Sequence, residues 1–333
     1  MSIKEELLRI LTENAGQEIS GQELADTLKV SRTAVWKAVN GLIAEGCEIQ
    51  AGRNRGYRLV RVGDLLSVGA IKAFLPPEMQ ENEIILLKTV DSTNTYAKKL
   101  AADGAGDGTV VIAEQQTAGR GRRGNSFYSP PKSGLYMTVV LRPEQHAVDT
   151  DLFTICAGCG VCRAVEGLSG TKPLIKWVND VYLDGKKICG ILSEATTDFE
   201  SGVVDSVVTG IGINISTEDF PDGLGGKAGS IRAGTGAGTG TGNVTRARLA
   251  AAVLRELTYC LSRSRQENIG DYKARSMVLG KEVNFVQNGV EHTAKAVDID
   301  DNGQLVVVEG NVEMKLNSGE ISVNLFGNRR NAE

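Results

Sequence analysis

Cysteine is scarce in this chain, six residues in 333 at irregular spacing, which fits a reducing compartment better than a disulfide framework. An apolar signal segment is missing too, because the opening Met1-Ser2-Ile3-Lys4-Glu5-Glu6 is charged and runs straight into helical periodicity. No uninterrupted apolar stretch reads as long enough to span a bilayer. These absences place the protein in the cytoplasm with no membrane partner. There is no large excess of either charge: the net value is −4, which argues against a surface that binds nucleic acid throughout. At 41% hydrophobic and 23% charged the composition also lacks the signature of disorder, and the length allows two or three domains, each with its own core. What is abundant is glycine: the 40 residues gather in loops between apolar runs, so those loops are where backbone-built sites are sought.

A local basic patch hides behind the average. Residues 29 to 61 hold seven basic residues against two acidic ones, a local charge of +5 suited to a phosphate backbone. Ile3, Leu7, Ile10 and Leu11 recur at helical spacing, and Asn14-Ala15-Gly16 ends that run. Ser20 with Glu23 forms a capping-box pattern for a helix over Gln22 to Leu28, and Ser31 caps a third. The third helix is expected to turn Val35, Val39, Leu42 and Ile43 inward and Arg32, Thr33, Trp36, Lys37 and Asn40 outward, the mixture that reads a major groove. Cys47 to Gln50, a turn carrying Arg53 and Arg55, and Tyr57 to Val60 then read as a hairpin wing. Ser31, Arg32, Thr33, Trp36, Lys37, Asn40, Arg53 and Arg55 are the candidate DNA contacts. The plainer alternative is a small helical module for protein contact whose arginines are merely solvated.

Beyond a linker with Pro76-Pro77, strands are expected at Ile84–Leu87, Val110–Ala113, Tyr136–Leu141, Ile188–Glu194 and Val203–Ile213, and helices at Asn94–Ala102, Phe153–Leu168 and Arg246–Ser264. That alternation predicts an α/β or α+β domain on a mixed sheet, and the chain as a whole reads as α+β multidomain. Its most informative segment is Gly119-Arg120-Gly121-Arg122-Arg123-Gly124, in which alternating glycines can turn backbone N–H groups toward an anion while guanidiniums add fixed positive charge. Alone, such a loop also reads as a flexible turn or a nonspecific RNA contact. Around it stand Asp91-Ser92-Thr93-Asn94, Glu114-Gln115-Gln116-Thr117-Ala118, Lys176-Trp177-Val178-Asn179-Asp180, Lys187 before Cys189-Gly190-Ile191-Leu192, and Gly210-Ile211-Gly212-Ile213-Asn214.

In that order and spacing these segments resemble the catalytic domain of biotin–protein ligases, related in fold to lipoate ligases and class II aminoacyl-tRNA synthetases. Val30 to Lys37 likewise resembles the winged-helix head of the regulatory members. The resemblance implies a ligase that uses ATP, biotin and Mg²⁺ to form biotinyl-5′-AMP and then biotinylates a lysine of a biotin carboxyl carrier protein domain. It also implies a repressor that binds operator DNA as a homodimer with the adenylate as corepressor. Carried over residue by residue, Arg120, Arg122 and Lys187 are catalytic. Ser92, Thr93 and Gln116 hold the ureido ring, with Asn94, Gly119 and Gly190 also in the biotin site. Arg122, Asn179, Asp180, Gly212 and Asn214 face the nucleotide, and no residue is assigned as a protein metal ligand. The chain departs from the pattern at Phe127, where Trp is usual, and at Val178, where Pro is usual. The plainer readings make Ser92 to Asn94 a helix cap, Lys187 a partner of Asp184, and Gly210 to Asn214 a strand end. A sensor that holds biotin or its adenylate without transfer is the alternative function; a ligase for lipoate or octanoate is another.

Two further features read as structural. Cys156, Cys159 and Cys162 share one helix side as core thiols, and the run Ala233 to Gly242 lacks a Gly-Lys-Ser/Thr ending, so it is a loop. Thr217 to Arg232 matches the family segment that closes over adenosine and is expected to be mobile without ligand. Strands near Glu282–Gln287, His292–Ile299 and Gln304–Val308 and a further hairpin to Ser322 predict a small SH3-like β-barrel. Gly319-Glu320-Ile321-Ser322 resembles the family's closing motif, with Asn324 where some members carry Arg. The expected organisation is a winged helix-turn-helix at 1–62, a catalytic domain at 69–270 and the small barrel at 271–327.

Overall fold

The computed structural model describes residues 3–44, 46–52, 56–61, 64–143, 150–197, 204–232, 244–287, 289–317 and 321–323. The head consists of α1 (Ile3–Glu13), α2 (Gly21–Leu28), α3 (Arg32–Ala44) and the hairpin β1 (Glu48–Gly52) and β2 (Gly56–Arg61). Leu7, Leu8, Leu11, Leu24, Val35, Val39 and Leu42 are buried together, each such side chain contributing about 1.5–3 kcal/mol. Ile43, expected inward, is 43% exposed near the end of α3, and Ile3 at the start of α1 is equally exposed. Ser20 Oγ accepts from Glu23 N at 3.0 Å, and Ser31 Oγ from Ala34 N at 3.2 Å, so both helices start where the caps predict.

The segment after the head is a joint as well as a linker. Ser67 caps α4 (Val68–Lys72), which packs between α1 and a later helix, α7 (Arg246–Ser262). A Cβ on Gly69 would lie 2.7 Å from the Glu5 Cβ, so only glycine admits that approach to α1. Arg246 fixes the same junction. Nearly buried, it donates from Nη2 to the Asp64 carbonyl at 2.7 Å and from Nη1 to Glu114 Oε2 at 2.8 Å.

The central sheet runs β3 (Ile84–Leu87), β4 (Val110–Ala113), β5 (Gly134–Leu141), β9 (Val204–Asn214), β8 (Lys186–Thr197), β7 (Asp180–Leu183) and β6 (Leu174–Lys176) across its width. Only β3 and β4 are parallel, so the sheet is mixed as expected. Both faces are covered, which is why β4 and β5 are buried at every position instead of alternating. Val110 and Ile112 point to the large core, whereas Val111 points the other way, to Ala97 and Ala101 of α5 (Thr93–Ala102). The large core holds α6 (Thr150–Ser169), α7 and α8 (Arg265–Ala274).

Two sequence expectations are revised here. The helix expected to run from Arg246 to Ser264 ends at Ser262, and Ser264 instead opens α8 with a complete capping box to Glu267; α8 passes through residue 270. Strands β6 and β7 were not anticipated, being too short to show a period. By length and composition alone α6 would pass for a membrane-crossing helix, but Asp151, Arg163 and Glu166 interrupt it, so the expectation of no uninterrupted apolar run stands. This is a core helix, with Cys156, Cys159 and Cys162 at or below 1% exposure. Burial pushes the Cys156 and Cys162 thiols up to about 12, so they stay protonated, inert packing groups, as expected of core thiols.

The C-terminal unit is an antiparallel sheet in the order β13 (Val312–Leu316), β12 (Leu305–Glu309), β11 (Val290–Ile299), β10 (Glu282–Gln287), β14 (Ile321–Val323). Trp177 Nε1 donates to the Gly303 carbonyl at 3.0 Å, which ties this unit to the end of the central sheet, and Tyr272 Oη of α8 donates to the neighbouring Val178 carbonyl at 2.8 Å. The peptide between Trp177 and Val178 is cis.

Candidate active site and DNA-reading face

Between the central and C-terminal sheets lies a cleft of about 930 Å³, large enough for a nucleotide-sized ligand. Its sheet-side wall carries Arg120, Arg122, Asn179, Asp180, Lys187 and Gly190, residues the sequence singles out from three separate segments. Lys187 stands near the start of β8 with its ammonium 2.7 Å from Asp180 Oδ1 on β7. The plainer reading paired it with Asp184; antiparallel pairing of β7 and β8 brings Asp180 to it instead. Held by one carboxylate oxygen, the ammonium keeps further N–H donors for a ligand.

The glycine/arginine loop closes on itself through Gly121 N to the Asn125 carbonyl at 2.7 Å and Phe127 N to the Gly119 carbonyl at 2.8 Å. Arg123 adopts a left-handed φ of 54°, so the turn is tight even at a non-glycine position. Arg120 Nη2 reaches Glu194 Oε2 at 2.9 Å, and no hydrogen bond or ion pair to the Arg122 guanidinium occurs among the described residues.

A second, smaller cavity of about 20 Å³ adjoins the cleft, lined by Ser92, Thr93, Asn94, Gln116, Arg120, Phe127, Gly190 and Gly212 among others. Ser92 occupies the N-cap position of α5, yet its side chain makes no capping bond. The cap comes from elsewhere: Gln116 Oε1 accepts from Thr93 N at 2.9 Å and lies 3.1 Å from Thr93 Oγ1, while Gln116 Nε2 donates to Ser129 Oγ at 2.8 Å. The buried Ser92 hydroxyl is thereby left to the cavity. A Cβ on Gly212 would sit 2.6 Å from the Phe127 ring, and one on Gly119 2.5 Å from the Phe127 carbonyl. These glycines admit close approach, as expected, but the group approaching them here is Phe127.

Two nucleotide-side candidates are placed differently. Asn179 lines the cleft, but its Nδ2 donates to the Ile191 carbonyl at 2.8 Å and braces β8. Asn214 is 4% exposed and lies outside the lining of both cavities; its Oδ1 is buried without a hydrogen-bond partner among the described residues. The segment expected to be mobile is anchored at both ends: Thr217 Oγ1 donates to Ser133 Oγ at 3.2 Å, while Lys187 N donates to the Lys227 carbonyl and Gly229 N to the Lys187 carbonyl, both at 2.9 Å.

On the head, Ser31, Arg32, Thr33, Trp36, Lys37 and Asn40 are all exposed on one side of α3, with Trp36 at 56%. A shallow hollow of about 470 Å³ runs from Arg32, Thr33 and Trp36 to Gly52 and Gly56 of the hairpin, so helix and wing share one face. Arg53 and Arg55 lie outside the described residues, as do Ala233 to Gly242, Gly319, Glu320 and Asn324.

Residues 86–214 match the Biotin/lipoate A/B protein ligase family, residues 4–58 an HTH domain, and residues 278–323 the Biotin protein ligase C terminal domain. Over 97% of its length the chain is 32% identical to the Bifunctional ligase/repressor BirA of Bacillus spizizenii, 99% of which is covered. The chain belongs to the biotin protein ligase family. It is also 29% identical to the Bifunctional ligase/repressor BirA of Escherichia coli, with 92% of this chain and 94% of that protein aligned. Among solved structures, a biotin protein ligase from Aquifex aeolicus in complex with biotin and ATP aligns with a TM-score of 0.62 at 28% identity, covering 72% of this chain and 98% of that one.

Within this biotin ligase fold, sequence reasoning missed Glu194, which the structure puts at the centre of the polar network. It appeared only as a strand end, since nothing local distinguishes a site carboxylate from an exposed one. Asp180 was found, but its role as the partner of Lys187 was not, because that pairing depends on the register of two strands.

Proposed function

We propose that the chain is an ATP-dependent biotin–protein ligase that works through biotinyl-5′-AMP, and a DNA-binding repressor for which that adenylate is the corepressor. The observation that carries the chemistry is the gathering of Arg120, Arg122 and Lys187 on one cleft wall, directly beside a polar cavity holding Ser92, Thr93 and Gln116. In the first half-reaction a biotin carboxylate oxygen attacks the α-phosphorus of ATP, and the bond to pyrophosphate breaks with the electron pair leaving on pyrophosphate. Both reactants are anions, so the barrier is largely electrostatic, and preplaced cations lower it without reorganising. Lys187, fixed by Asp180, bridges carboxylate and α-phosphate; Arg120 and Arg122 hold the same oxygens, and Arg122 retains the adenylate. In the second half-reaction a carrier lysine amine attacks the anhydride carbonyl, loses a proton and releases AMP.

Ser92, Thr93 and Gln116 hydrogen-bond the ureido ring. At about 20 Å³ their cavity is too small for that bicycle, so Phe127 must leave Gly212 as biotin enters. Because Phe127 closes the glycine/arginine loop, biotin entry and loop position are coupled. Asn214, buried and outside both cavities, is given no contact with the nucleotide. Mg²⁺ would come with the ATP phosphates and neutralise their charge, with Asp180 on the same wall as Lys187 the carboxylate that would help hold it. We assign the protein to the cytoplasm, without membrane attachment, as a homodimer that pairs two winged heads on a palindromic operator.

The test is to mix the protein with labelled biotin, ATP, Mg²⁺ and a biotin carboxyl carrier protein domain. Pyrophosphate release with label on the carrier is expected. Release without carrier label would favour a sensor, and competition by lipoate or octanoate would change the acyl group. For the head, adenylate is expected to raise retention of genomic duplex fragments, and Arg32→Ala to weaken it and lower the salt slope by about 1 per lost phosphate contact.

A further inference from the structure

Both ends of the polar network beside the cleft terminate on residues assigned to biotin, yet what joins them is a carboxylate outside that set. Glu194 lies on β8 facing α5, where Asn94 and Lys98 are four residues apart and share a helix face. Asn94 Nδ2 donates to Glu194 Oε2 at 2.9 Å, Lys98 Nζ to Oε1 at 2.6 Å, and Arg120 Nη2 to Oε2 at 2.9 Å and Oε1 at 3.1 Å. The carboxylate is thus shared by an amide, an ammonium and a guanidinium from two segments. From Asn94 the network continues inward. Thr138 Oγ1 donates to Asn94 Oδ1 at 2.7 Å and lies 2.8 Å from Thr93 Oγ1, which in turn meets Gln116.

We propose that Glu194 is a positioning residue: it ties the Arg120 guanidinium to the rigid sheet and so fixes the distance between the acid-binding end of the site and the Thr93–Gln116 end. This rests on the ligase reading. Arg120 is 44% exposed on a glycine-rich loop, where an untethered arginine samples many rotamers. Anchoring one Nη2 leaves other N–H donors of the planar guanidinium aimed into the cavity. Lys98 keeps the cluster cationic, with two cations to one anion, so a substrate carboxylate is still attracted. Burial alone would raise the Glu194 pKa, but hydrogen bonds from Lys98 and Asn94 and the Arg120 charge together lower it, which keeps the anchor ionised at neutral pH.

The experiment measures pyrophosphate release by full-length protein with biotin and ATP varied separately, beside thermal melts. Glu194→Gln is expected to raise the KM for biotin about tenfold while that for ATP moves by less than about twofold, with Glu194→Asp recovering part of the loss. In an Arg120→Ala background, Glu194→Gln should change the biotin KM by less than about twofold, because its effect passes through the guanidinium. Equal changes in both KM values, or additive effects in the double variant, would overturn the proposal. If Glu194→Gln does not fold, Glu194→Asp, which keeps the charge but shortens the reach, is read in the same two assays. Absence of pyrophosphate release from the wild type would instead bring down the ligase reading, and the inference with it.

Discussion

The two walls of the cleft are built on different principles. On the central-sheet side, charged groups are braced by partners on neighbouring elements: Lys187 by Asp180, Arg120 by Glu194. The C-terminal side presents Asn284, Phe285, Val286, Glu291, His292, Thr293 and Ile321, with the Phe285 and His292 rings stacked at 5.1 Å between centroids. One wall therefore gathers the braced cations, and the other covers them with an aromatic stack and a single carboxylate, Glu291. A cleft of this kind concentrates its chemistry on one side.

The sharpest test of that asymmetry is Lys187→Ala. It is expected to cut adenylate formation by about 10³-fold or more with the melt unchanged, measured as pyrophosphate release; near-normal release would remove charge from the explanation. Gly212→Ala follows: its methyl must displace Phe127 or clash with it at 2.6 Å, and biotin affinity should fall about 10–100-fold by equilibrium binding. Next is the hinge between the walls. Trp177→Phe leaves the Gly303 carbonyl without its indole donor and should cost about 1–3 kcal/mol in denaturant unfolding, with ATP binding weakened more than biotin binding. Equal losses for both ligands would mean that the walls act as one unit.

The smallest effect is a pH dependence. Glu194 has a folded-state pKa below its ordinary value, so its stabilising contribution is present at neutral pH and is lost as pH falls through that lowered value. The melting difference between wild type and Glu194→Gln should therefore shrink in acid, below the ordinary carboxylate range. A difference constant down to the acid transition would mean that the ion pairs contribute nothing there.

Much of this fold was legible because local rules and tertiary structure agree. Ser20 and Ser31 cap the helices they precede, and α3 turns Trp36 and Lys37 outward as its periodicity requires. The strands Ile84–Leu87 and Val110–Ala113 fall where the sequence placed them. Legibility failed where the signal is shorter than a period or depends on distant residues. Strands β6 and β7 are three and four residues long. Ser264 read as the tail of one helix although it caps the next, since a cap and a continuing helix look alike until the chain is seen to bend.

The sequence by itself determined which chemical groups are available and in what order: a basic helical head, a glycine/arginine loop, one lysine before a glycine-containing strand, and polar residues opening α5. These follow from short-range pattern, where residue type and spacing act directly on the backbone. Tertiary structure alone decided which of those groups meet. Strand register set Lys187 against Asp180, the packing of α5 on the sheet brought Asn94 and Lys98 to Glu194, and the folded loop laid Phe127 over Gly212. Contacts between residues far apart in the chain depend on how whole elements pack, and no local window carries that information.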